Sequence, residues 1–147
     1  MSEHSAGQIE VLSGFAGTDL RWVVMAGGDD ADLMTMLHVY RGDRQVAGSG
    51  FGGPKLYGDS LVNEWRGQKD DLPCFVMART APVVDRVVAT TDRGTQVTLS
   101  LSPVIERFGL RFAAGALPAG ERPGTLRIER DGIVLETVRQ PMPPAIP

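Results

Sequence analysis

Residues 72–117 read LPCFVMARTAPVVDRVVATTDRGTQVTLSLSPVIERFGLRFAAGAL, and the spacing of this stretch decides the fold class. Four strand-like segments follow one another, each closed by a turn signal. Phe75–Thr80 is an apolar run ended by Ala81-Pro82, and 84–91 is rich in β-branched residues and stops at Asp92-Arg93-Gly94. Residues 95–101 alternate, with Val97, Leu99 and Leu101 on one side and Gln96, Thr98 and Ser100 on the other. Phe108, Leu110 and Phe112 repeat the pattern, with Arg107 and Arg111 opposite. A period of two sends alternate side chains to the buried and solvated faces of a sheet; helical winding would scatter the same residues around the axis. Val97, Leu99, Leu101, Phe108, Leu110, Phe112, Leu126 and Ile128 are expected to share one core.

Both flanks continue in the same style. Upstream, 8–13 and 20–26 read as strands carrying Ile9, Val11, Trp22 and Val24, and the chain breaks at Gly27-Gly28-Asp29-Asp30-Ala31-Asp32. A hairpin follows, 33–41 returning through Gly42-Asp43 into 44–47. Residues 48–58 are glycine-rich and predict an irregular loop. Residues 59–66 predict a short helix, with Asp59 or Ser60 as N-cap and Leu61 and Trp65 at i and i+4. Downstream, 125–130 and 133–138 flank Asp131-Gly132, a strong tight-turn signal. Residues 1–7 read as a flexible tail, and 140–147, with four prolines, as an extended one. The expectation is an all-β, single-domain antiparallel β-sandwich over 8–139, with Greek-key or Ig-like connections and at most one short helix near 59–66.

Composition narrows the function. The chain has 147 residues, 18 acidic against 15 basic, for a net charge of -3. The basic side is 13 Arg and 2 Lys, and the arginines form no run in the sequence. That balance points away from nucleic acid and from anionic membrane surfaces. No apolar run approaches the ~18 residues of a membrane span, and no signal peptide opens the chain, so a cytoplasmic location is expected. The single cysteine, Cys74, reads as a small buried hydrophobe.

Several motifs offer chemistry, and each has a plainer reading. Gly48-Ser49-Gly50-Phe51-Gly52-Gly53 matches the dinucleotide fingerprint by letter, but Pro54 and Gly58 follow where a helix is required. Arg41-Gly42-Asp43 is an adhesion tripeptide that also makes an ordinary turn. Asp29, Asp30 and Asp32 could offer oxygens to calcium, without the spacing of a helical-loop site. One strand histidine, His38, has no nucleophile motif to serve. No catalytic residue, metal site or cofactor is therefore assigned.

The pattern from Phe75 through Arg79, Val84, Val87, Gly94, Val97, Phe112, Leu117 and Pro118 to Asp131-Gly132 resembles a β-sandwich module of small uncharacterised actinobacterial proteins. The resemblance implies the sandwich fold and carries no chemistry onto any residue. The expected function is non-enzymatic protein–protein interaction. The alternative is a small-ligand or carbohydrate-binding module using the 48–66 loop, and a hydrolase with dispersed carboxylates is a third reading. In either binding mode Phe51, Tyr57 and Trp65 are the candidate contact residues, because aromatics on a glycine-rich loop offer large area at small entropic cost.

Overall fold

The computed structural model describes residues 7–139. Its elements are twelve strands: β1 (Gln8–Ala16), β2 (Leu20–Gly28), β3 (Leu33–Arg41), β4 (Arg44–Phe51), β5 (Val62–Gly67), β6 (Phe75–Thr80), β7 (Arg86–Thr91), β8 (Gln96–Thr98), β9 (Ser100–Leu101), β10 (Arg111–Ala116), β11 (Pro123–Arg130) and β12 (Ile133–Arg139). They form three antiparallel four-stranded sheets, ordered β1-β2-β3-β4, β5-β6-β10-β9 and β12-β11-β7-β8. The tails expected at 1–7 and 140–147 lie, Gly7 apart, outside the described residues.

The all-β antiparallel sandwich is confirmed, with a third layer added. The sheet holding β6 and β10 lies in the middle, and both of its faces are buried. All six residues of β6 are buried. Phe75 and Met77 enter one core with Trp22, Leu37, Phe108 and Leu110. Val76 and Ala78 enter a second core with Val87, Leu99, Leu126 and Ile128. On β10, Phe112 and Ala114 face the first core and Ala113 the second. The single shared core expected from the sequence is therefore two cores, split by the middle sheet. A strand buried on both faces reads as a continuous apolar run, as 75–78 does, and only stacking says which half goes where.

The alternating stretch 95–101 is two strands. Val97 and Thr98 pair with β7, then Ser100 and Leu101 pair with β10 in the middle sheet. The chain changes sheets at the buried Leu99, as sandwich corners do. Val97, Leu99 and Leu101 nevertheless face the second core together, as their spacing requires.

The short helix expected near 59–66 is absent: Val62–Gly67 is β5, paired with β6 from Val62↔Thr80 to Gly67↔Phe75. Local i, i+4 spacing is weak here, and the exposed edge of β6 offers six backbone partners. The glycine-rich loop also begins later than expected, because β4 runs through Gly48–Ser49–Gly50 to Phe51 against β3. Gly50 is needed there, since a Cβ at that position would sit 2.1 Å from the Thr35 carbonyl oxygen.

The hairpin at Asp131-Gly132 forms as its sequence demands, with φ of 51° and 78°. No atom lies within 4 Å of a Cβ added to Gly132, so a side chain there meets only backbone strain. Gly132→Val is expected to cost about 1–2 kcal/mol in chemical denaturation, the penalty of a β-branched residue held left-handed. An unchanged midpoint would show that the turn relaxes to another type.

Candidate functional site

The segment between β4 and β5 is organised from below by one side chain, Arg79 of β6. Its guanidinium is fully buried. Nη1 donates to the Leu33 carbonyl at 2.7 Å and to Thr35 Oγ1 at 2.8 Å. Nη2 donates to the carbonyls of Gly52, Gly53 and Pro54 at 3.2, 3.3 and 2.7 Å, and Nε to that of Lys55 at 3.2 Å. The Phe51 ring stacks on it, 4.2 Å from centroid to Cζ. Six neutral acceptors thus surround a group with five N–H donors, and the backbone of the loop turns its carbonyls inward to reach them. Burial pushes the guanidinium down to about 10, opposed by the nearby Tyr57 and Asp32. That value still leaves it cationic at neutral pH.

The acidic loop between β2 and β3 completes the framework. Asp29 Oδ1 accepts from the amides of Ala31 and Asp32. Asp32 Oδ1 accepts from the Gly53 amide at 3.1 Å. Asp30 pairs with Lys55 at 2.8 Å, and Lys55 Nζ also donates to the Phe108 carbonyl. The three carboxylates that the sequence offers to a cation are each spent on holding loops together.

The three aromatic candidates separate. Phe51 is half-buried against the first core, under Arg79. Trp65 is half-buried against the same core. It lines a narrow apolar crevice of about 80 Å³ with Leu37, Val39, Leu72 and Phe75. Tyr57 alone projects, 59% exposed, on a turn closed by the Ser60 amide donating to the Tyr57 carbonyl. The fingerprint letters 48–53 lie on β4 and the turn after it, with no helix following. Cys74 is buried, and burial pushes its thiol up to about 11, which removes it as a nucleophile near neutral pH.

Sequence reasoning passed over two features. Arg79 was legible as one charge inside the apolar run 75–80, in phase with Phe75 and Met77 and hence inward-facing. The other is the run Ile133-Val134-Leu135 on β12, exposed to 64, 48 and 41%. Its letters match a half-buried strand, and nothing in them says that the strand stands at an edge. Glu136, next along β12, turns inward and accepts from Ser60 Oγ at 2.7 Å and the Leu61 amide at 2.8 Å. That clip joins the Tyr57 turn to β12. Val83, 42% exposed, adjoins the same hairpin, its carbonyl accepting from Arg130 Nη1 at 2.9 Å.

The chain matches no family model, no curated protein and no solved structure. The likeness to the actinobacterial module rests on the sequence pattern alone. Among the described residues no helix is long and apolar enough to cross a membrane.

Proposed function

We propose that the chain is a non-catalytic module that binds a protein partner through the β11–β12 hairpin and the adjoining Tyr57 turn. The observation that carries the reading is the exposed run Ile133, Val134, Leu135 on a strand that, among the described residues, has a neighbour on one side only. Three consecutive apolar side chains left in water at a sheet edge offer a partner a surface to cover. The long edge strands β1, β4 and β12 each carry one unpaired residue, Val11, Val46 and Leu135, against their neighbours. Such bulges twist an edge away from strand addition, so recognition here goes through side chains.

The small-ligand alternative finds less support at the 48–66 segment. The crevice beside Trp65, about 80 Å³, is well below the ~300 Å³ at which ligand pockets begin. It suits one apolar side chain of a partner better than a sugar or a cofactor.

Quantitative pull-down from native lysate tests the reading. The double variant Ile133→Ser/Leu135→Ser is expected to lose the proteins that the wild type captures, and Tyr57→Ser to reduce them. Melting temperature should move by no more than a few degrees, as for surface changes of about 0.5 kcal/mol. Capture that survives the double variant intact would overturn the proposal.

A further inference from the structure

The outer face of the β12-β11-β7-β8 sheet carries a second kind of recognition chemistry. Val87, Ala89, Leu126, Ile128 and Val138 point into the second core, so their strand neighbours point out. Register therefore places Arg86, Arg127 and Arg139 on one face, across β7, β11 and β12. Side-chain contacts agree. Arg127 Nε pairs with Glu129, Arg86 Nη1 lies 3.8 Å from the same carboxylate, and Arg86 Nη2 donates to Thr98 Oγ1 at 3.3 Å. Among the described strand residues Glu129 is the one acid on this face, and it is nearly buried, its side chain 5% exposed. Val88, although outward, is covered. Arg139 is exposed and has no ion pair among the described residues. Three guanidiniums against one carboxylate leave this face positive on a chain whose net charge is -3.

We propose that this face binds an acidic, extended peptide segment of the partner, with carboxylates taken by Arg86 and Arg139. Arg127 is committed to Glu129 and acts as the floor between them. Guanidinium forks suit carboxylates because two parallel N–H groups meet two oxygens. Arg86 lies opposite Glu129, and Arg139 opposite Thr125. The two sites are thus two strand spacings apart across the sheet and four residues apart along it, roughly 10 Å by 13 Å. The diagonal, about 16 Å, is covered by some five residues of extended chain. The exposed Val134 pairs with Glu129 and sits beside this path, joining it to the hairpin patch.

This inference rests on the hairpin reading for its partner class, and its test is independent of that reading. Fluorescence anisotropy would follow labelled hexaglutamate, hexalysine and a six-nucleotide single strand at low ionic strength. Hexaglutamate is expected to bind, hexalysine not, and the binding to weaken as salt screens it. Arg139→Glu and Arg86→Gln should each weaken hexaglutamate roughly two- to fivefold, the scale of one exposed charge pair, and Arg139→Glu should do so with the melting temperature unchanged. Equal affinity of wild type and both variants would overturn the proposal, as would tighter binding of hexalysine. Preference for the oligonucleotide would also overturn it and give the face to a nucleic acid. Ile133→Ser/Leu135→Ser should keep hexaglutamate binding while losing lysate capture. Failure of the arginine arm alone therefore sinks only the peptide site, and failure of the capture arm alone sinks only the hairpin reading.

Discussion

Arg79→Met is expected to remove about 3–5 kcal/mol of folding stability in urea denaturation, a large share of what a domain of this size has. Methionine fills most of the volume and keeps contact with Phe51, so the loss is chiefly polar. It takes the guanidinium from the carbonyls of Leu33, Gly52, Gly53, Pro54 and Lys55 and from the Thr35 hydroxyl, while Gly53 keeps its bond from the Leu33 amide and Pro54 its bond from Asn63 Nδ2. Arg79→Lys should recover only part of the loss, because one ammonium has three donors and no planar fork. Amide exchange would localise the damage: residues 52–57 should open well before the strands unfold. A loss under about 1 kcal/mol would mean that water replaces the guanidinium without strain and that the loop holds itself.

Phe112→Ala should be comparably severe, about 3–5 kcal/mol, because the ring is wholly buried and packs edge-on against Phe108 at 5.9 Å. Leu126→Ala, in the other core, should cost about 2–5 kcal/mol. The combination is the sharper measurement. Phe112 and Leu126 lie on opposite sides of the middle sheet, so the two losses should add to within about 0.5 kcal/mol. Each variant must retain enough native population for its midpoint to be fitted, and a mild Phe112→Leu/Leu126→Val pair gives the same comparison at smaller amplitude. A coupling above about 1 kcal/mol would mean that the two cores behave as one and that the middle sheet transmits strain between them.

Much of the strand pattern was legible because it depends on residues close together in the chain. Val97, Leu99 and Leu101 face one core because alternation is a property of the backbone itself. Asp131 and Gly132 turn where they do because both tolerate positive φ. The candidate site was legible only in part. Tyr57 projects as an aromatic on a glycine-rich loop should, while Phe51 is drawn inward by a guanidinium 28 positions along the chain. Trp65 belongs to a strand rather than a helix because β6 offers it a partner, Met77, that local spacing cannot reveal.

By itself, then, the sequence determined an all-β antiparallel chain, most of its turns, and the inward phase of its apolar residues, since these follow from local dihedrals and a two-residue period. Only the tertiary structure decided that three sheets stack and divide the core, that β12 stands at an edge with Ile133, Val134 and Leu135 in water, and that Arg79 holds the loop. Each of these depends on groups brought together from far apart in the chain. The Leu33 and Thr35 partners of Arg79 lie 46 and 44 residues away, and no local preference encodes which side of a sheet will be covered.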